Sequence, residues 1–235
     1  MNSNRIKKIL ILVTILAVPG FLYYLLQEKG KNRYRPLAIY GPKHVAKTFH
    51  SVRGENIPDT SYHTIADFNL RNQYNDTVSW NTHKGKIVLV NLFHASNRGF
   101  AVDFANKAME GFEKMYDKNK MLHFMSISIN PTEDQPETLR KYANLISAKT
   151  NKWDLLTGDS AQVYQLIHKG LFLDAIKTIK DGETKFIYSN MFVLIDSQHR
   201  IRGYYEATNN EALSKLDDEI KVLIAEELRN MKDGR

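Results

Sequence analysis

Several side chains that could do chemistry lie around one junction of the sequence. His94 directly follows the apolar run Val88-Leu89-Val90-Asn91-Leu92-Phe93, and Asn97, Arg98 and Asp103 come soon after it. An imidazole can carry a proton or bind a metal, and a carboxylate beside it can share that metal. Asn97 and Arg98 could donate hydrogen bonds to an anion at the start of the helix that follows. Structural roles compete with each of these: His94 ending a strand, Asp103 capping the helix and Arg98 lying exposed in the loop. Thiol chemistry is excluded, because the 235 residues include no cysteine. The chain can form no thiolate, no disulfide and no cysteine-ligated zinc, so no thiol–disulfide or peroxidase activity is expected and the protein reads as a non-enzyme. It also has no glycine-rich phosphate loop, no G-x-S-x-G and no H-E-x-x-H. The remaining histidines (His44, His50, His63, His83, His123, His168 and His199) show no H-x-H or H-x-x-x-H spacing and are expected on surfaces and in loops.

The elements that would position these residues follow from hydrophobic periodicity. Lys86–Phe93 reads as a strand buried on both faces, and Met121–Ile129 as a second. Helical spacing covers Phe100–Tyr116 and Pro136 to about Ala148, and a short helix over Ser160–Gly170 takes Gly170 as its C-cap. His63–Phe68 with Val78-Ser79-Trp80 predicts a hairpin turning at Asn75-Asp76. Phe192–Ile195 with Ile201–Tyr205 predicts another, followed by a long amphipathic helix from Asn210 to Leu228 capped near Asn209. The order strand–helix–strand–helix, then hairpin and helix, is that of a thioredoxin-like α/β fold with a central mixed sheet flanked by helices.

The net charge of +7 has one source. Residues 1–60 hold ten Lys/Arg and three Asp/Glu, which leaves 23 of each sign among the chain's totals of 33 and 26. A nucleic-acid surface would place the excess on the folded domain, so no nucleic-acid partner is expected. Ile9 to Leu26 is free of charge, follows Arg5, Lys7 and Lys8, and is just long enough to cross a bilayer core as a helix. An uncleaved N-terminal transmembrane anchor is expected, with a cleaved signal segment the competing reading. The domain organisation expected is residues 1–28 as membrane anchor or signal, 29–58 as a basic tether, and 59–231 as the folded domain.

With these elements in order, the chain resembles the SCO/SenC family. The resemblance rests on Pro36-Leu37-Ala38-Ile39-Tyr40-Gly41, Ile65-Ala66-Asp67-Phe68, and Lys84-Gly85-Lys86-Ile87-Val88-Leu89-Val90-Asn91. It continues through Ser126-Ile127-Ser128-Ile129-Asn130-Pro131, Asp134, Pro136-Glu137-Thr138-Leu139, Trp153-Asp154-Leu155-Leu156-Thr157-Gly158 and Phe192-Val193-Leu194-Ile195-Asp196. It implies a membrane-anchored thioredoxin-fold protein, outside the cytoplasmic membrane, linked to copper delivery to cytochrome c oxidase. Family members hold copper with a Cys-x-x-x-Cys pair and a histidine. The resemblance places those ligands on Asn97, Ala101 and Tyr188, and Asn130 stands where the family has an acid.

An amide, a methyl and a phenol cannot reproduce a thiolate copper site. What the resemblance then implies is a non-catalytic, non-copper-binding docking or assembly partner, with no metal or other cofactor. Its partners would be the membrane, through residues 9–26, and a respiratory oxidase subunit or an intact SCO-type paralogue. A copper chaperone with substituted ligands (His94, Asp103 and Met191) is the alternative, set against Met191 as an ordinary core residue. A small-molecule or anion-binding module, resting on Arg98, is the third.

Overall fold

The computed structural model describes residues 3–28, 36–52, 54–96, 100–149, 151–180 and 183–232. They fall into two units, 1–35 and 36–235. The first is a single helix, α1 (Ser3–Glu28), with Pro19 inside it. Ile6–Leu25 has a mean hydropathy of 2.0 and no burial within the protein, so the helix is long and apolar enough to cross a membrane. A proline is tolerated in such a helix, and it does not end α1 as it would end a soluble one.

The second unit begins with a hairpin, β1 (Lys43–Val52) and β2 (Glu55–Tyr62), turning through Gly54 at φ +85°. The tether expected over 29–58 is thus replaced from Lys43 onward by antiparallel strands. Both faces of this hairpin are largely open, and Val45 and Phe49 are exposed. With no buried face, its composition stays polar and reads as a linker. β3 (Leu70–Arg71) and β4 (Thr77–Val78) form the next, much shorter hairpin. Its turn holds Asn75 at φ +66°, and Asn72 Oδ1 accepts the backbone N–H groups of Tyr74 and Asp76. The pairing expected for His63–Phe68 does not form, because other partners take that backbone: His63 N donates to Pro42 O and Ile65 N to His199 O. Trp80 Nε1 donates to Ile65 O and Ala66 O, while Asp67 Oδ1 accepts from Trp80 N. A 3-10 turn, Trp80–His83, then leads into the sheet.

The sheet contains β5 (Ile87–Phe93), β6 (Leu122–Ser128), β7 (Trp153–Leu156), β10 (Met191–Ile195) and β11 (Ile201–Glu206) in the order β11-β10-β5-β6-β7. β5, β6 and β7 are parallel; β10 runs antiparallel to β5 and to β11. The parallel crossovers are α2 (Phe100–Met115) and α3 (Pro136–Leu145). α4 (Ser160–Gln165) continues as a π turn, Leu166–Gly170. Gly170 does not cap that helix: a Cβ there would meet Ile65 and Leu166 at 3.1 Å, so close packing explains the glycine. β8 (Ala175–Lys180) and β9 (Glu183–Tyr188) form a separate hairpin that the sequence pattern does not announce. α5 (Asn210–Lys232) is N-capped by Asn209, whose Oδ1 accepts from Glu211 N and Ala212 N.

Alternation along the strands divides the core in two. Ile87, Leu89, Phe124, Trp153 and Leu194 pack with α2, α3 and α5. Val88, Val90, Met125, Leu156 and Val193 pack against Ile65–Trp80, α4 and the π turn. β7 is an edge strand with backbone groups to spare. Gln73 covers them, donating from Nε2 to Trp153 O (2.9 Å) and accepting from Leu155 N at Oε1 (2.8 Å).

At the opposite edge Arg202 is buried at 2% exposure. Its guanidinium contacts Asp196 (3.1 Å) and Glu226 (2.9 Å) and donates to Leu37 O and Ala38 O. One side chain thereby ties β11, α5 and the start of the unit together. Arg202→Met should destabilise the protein by about 3 kcal/mol, because it leaves Glu226 without its cation, Asp196 with Arg200 alone, and Leu37 O and Ala38 O without their donor. Guanidinium unfolding of the variant beside the parent chain measures this.

Candidate functional site

The junction after β5 is one end of the parallel strands. His94 leaves β5 half-buried, with its ring 4.8 Å from Phe186 on β9. Asn130 Nδ2 donates to His94 Nε2 at 3.2 Å, while Asn130 Oδ1 accepts from Thr132 Oγ1 at 2.8 Å. The lone pair a metal would need on that nitrogen is therefore engaged. Asp134, buried behind it, accepts from Ser128 Oγ and from Ala95 N (3.3 Å), tying the end of β6 to the loop.

The other sequence candidates lie on separate elements around this junction. Tyr188 and Met191 are half-buried and pack against the core on the α4 side of the sheet. Ala101 is exposed in the first turn of α2, and Asn97 and Arg98 lie outside the described residues. Asp103 is not the cap of α2, which begins three residues earlier. It sits in the first turn, where a carboxylate suits the helix dipole. It lines a groove with Asn106, Lys107, Glu110, Leu145 and Ile146, between α2 and α3. Among the described residues, no third carboxylate or histidine joins His94 in a ligand-like group.

Such a group forms at the other end of the same strands. His83 ends the 3-10 turn, His123 is the second residue of β6 and Asp154 the second of β7. Alternation places Leu122 and Phe124 on one face of the sheet and turns His123 to the other. Trp153 and Leu155 do the same for Asp154. All three residues are buried, so the expectation that these histidines lie on surfaces is corrected for His83 and His123. His123 Nε2 donates to Asp154 Oδ2 at 2.8 Å, and Asn72 Nδ2 donates to Asp154 Oδ1 at 3.0 Å. His83 stacks on His123 with ring centroids 4.0 Å apart. Its Nε2 comes within 3.3 Å of Asp154 Oδ2, yet neither of its ring nitrogens has a hydrogen-bond partner. Spacing rules miss the trio because 71 positions separate His83 from Asp154. The readable signal was a polar residue at an inward position of an otherwise apolar strand.

The electrostatics of this trio follow from burial and contact. Burial alone would push the Asp154 carboxyl up. The hydrogen bond from His123, the approach of His83 and the Asn72 amide outweigh it and hold the carboxyl well below the usual range. Burial pushes the His123 imidazole down to about 4, against the pull of Asp154. The metal-free fold thus accepts His123 neutral, whereas the unfolded chain protonates it near 6.5. Stability is complete above about pH 6.5 and falls as the pH drops toward 4, by about 3 kcal/mol in all from this group. Asp154 adds its own loss only below the ordinary carboxylate pKa. His123→Gln keeps a donor but cannot titrate, and it should flatten the slope of unfolding free energy against pH between 4 and 6.5. His199, also held down by burial, supplies the residual slope.

Comparison with known proteins places this architecture. A family model described as SCO1/SenC matches residues 58–223. The chain is 22% identical over 168 residues to the SCO1 protein homolog of Bacillus subtilis (strain 168), a match covering 72% of this chain and 86% of that protein. It is similar in structure to a SCO1/SenC family lipoprotein from Bacillus anthracis str. Ames, with a TM-score of 0.62 and 21% identity, over 68% of this chain and 95% of the other. It is also similar to BsSco, described as a member of the Sco family of cytochrome c oxidase assembly proteins. That match has a TM-score of 0.58 and 21% identity, over 68% of this chain and 93% of that one. The structural matches carry the thioredoxin-like fold that the order of elements predicted. With the family model covering most of its length, this cysteine-free chain belongs to the SCO1/SenC family.

Proposed function

We propose that this chain is a membrane-anchored member of the copper-assembly family that acts by docking, without binding copper at the family's ligand positions and without enzymatic activity. The observation that carries the reading is the junction after β5. Its described ligand positions are a methyl (Ala101) and a phenol (Tyr188), and His94 is held by Asn130 and packed on Phe186. Cuprous ion selects thiolate and thioether donors. Here Met191, the one thioether near those positions in sequence, packs against the core, and Asp103 lies in the groove between α2 and α3. A substituted set of His94, Asp103 and Met191 is therefore poorly supported.

In this reading α1 holds the protein to the membrane, with the folded domain on the outer face. The partner is a respiratory oxidase subunit or an intact SCO-type paralogue, which supplies the thiols this chain lacks. The shape of the family domain is retained for recognition, while metal handling belongs to the partner.

Titration of the full chain in detergent with Cu(I), against a competing chelator, tests the proposal. No copper should be withheld from the chelator, and His94→Ala and Met191→Leu should change nothing. A one-to-one Cu(I) complex lost in either variant would overturn it. Deletion of the protein should lower assembled oxidase without lowering total cell copper.

A further inference from the structure

We propose that His83, His123 and Asp154 form a divalent metal site of the zinc class at the base of the sheet, remote from the family's copper position. His83 Nε2 and His123 Nε2 converge on the same carboxylate oxygen, at 3.3 and 2.8 Å. One ligand atom from each residue falls within 4.8 Å of the other two. Tetrahedral zinc with nitrogen and oxygen ligands at about 2.0–2.2 Å requires ligand separations of roughly 3.3–3.5 Å, so the separations need only a small shift, while the His83 ring must turn out of its stack on His123 to aim a lone pair at the ion. Two imidazoles and a carboxylate with a fourth position left open is a common donor set for zinc.

The second observation is His83 itself. It is buried at 6% exposure and stacked on His123, with both ring nitrogens unpartnered. A buried polar group without a hydrogen bond is destabilising, and a leucine or phenylalanine would fill the same volume at no such cost. Coordination of one of its nitrogens removes that cost and gives the residue a role. Asn72, donating to Asp154 Oδ1, supplies the outer hydrogen bond that orients a metal-binding carboxylate and leaves Oδ2 to face the two rings. An open cavity of about 460 Å³ reaches His123 from outside; its walls include Lys86, Lys120, Lys149, Lys152 and Asp117. The four lysines, against one carboxylate, oppose a cation on this approach and limit affinity without blocking the donors.

The site is independent of the docking function proposed above, since it uses none of the residues at the junction after β5. Zn(II) titration of the tag-free full chain in detergent, with a chromophoric chelator in competition, is the direct test. One zinc should bind per chain and raise the unfolding temperature. Substitution with Co(II) should give the visible d–d bands of a four-coordinate nitrogen–oxygen site.

His83→Phe removes a ligand that no hydrogen bond holds but that lies 3.3 Å from Asp154 Oδ2; with its fold checked by circular dichroism and metal-free unfolding temperature, it should lose the one-to-one complex. Asp154→Asn, which keeps a polar partner for Asn72, should weaken binding by more than about tenfold. Absence of a stoichiometric complex in the parent chain, or an unchanged complex in folded His83→Phe, would overturn the proposal. Failure of zinc binding leaves the Cu(I) result above untouched, and the converse holds equally.

Discussion

A carboxylate buried at the base of a sheet has to be compensated, and much of the geometry at that end of the domain follows from how Asp154 is compensated. Four elements contribute. β6 sends His123, the 3-10 turn sends His83, the β3–β4 turn sends Asn72, and β7 carries the carboxylate itself. Gln73, next to Asn72, also covers the free edge of β7. The short β3–β4 hairpin is thereby docked by two adjacent amides rather than by a long ladder. Removing the carboxylate's partners would leave a charge in a medium that solvates it poorly. The turn before β5 and the edge strand β7 are consequently fixed with respect to each other.

The far edge of the sheet uses the same device with the charges reversed. There Arg202 is the buried ion, and Asp196, Glu226 and two backbone carbonyls surround it. Arg200 adds a second cation to Asp196, and Glu227 accepts from Ser197 N and Oγ. Between these two poles one hydrogen-bonded chain runs across the sheet. Trp153 Nε1 donates to Ser126 Oγ, and Ser126 Oγ donates to Asn91 Oδ1, crossing three parallel strands. Satisfied networks of this kind favour one register over its neighbours, because a slip by one residue would orphan every member.

The central elements were legible because two periodicities suffice for them. All seven residues of β5 and all seven of β6 are buried, as continuous apolar runs predict, and α5 shows an unbroken amphipathic pattern behind its asparagine cap. The β1–β2 hairpin was not legible, because it buries almost nothing and so leaves no alternating pattern. The His63–Phe68 segment misled in the opposite way: its composition suits a strand, but Pro42 O, His199 O and the Trp80 indole took its hydrogen bonds. At the junction after β5 the sequence placed His94 correctly and could not show that Asn130 would occupy it. The basal trio was hidden by distance along the chain. Only the register of β6 against β7, which pairs Met125 with Asp154, brings His123 to the carboxylate.

The length of the central strands also separates the two ends of the sheet. β5 has seven residues, so its two ends are roughly 20 Å apart at about 3.3 Å per residue. Sites separated by that distance, with no shared partner, behave independently. The junction after β5 is secured from below by Asp134, Ser128 and the apolar contacts of Phe186, Tyr188 and Met191. None of these requires a thiol. The base is secured by Asp154 and its donors, which owe nothing to the junction. The residues that hold the junction and those that hold the base are thus separate sets, so side chains at one end can change while the buried charges that set the architecture remain in place.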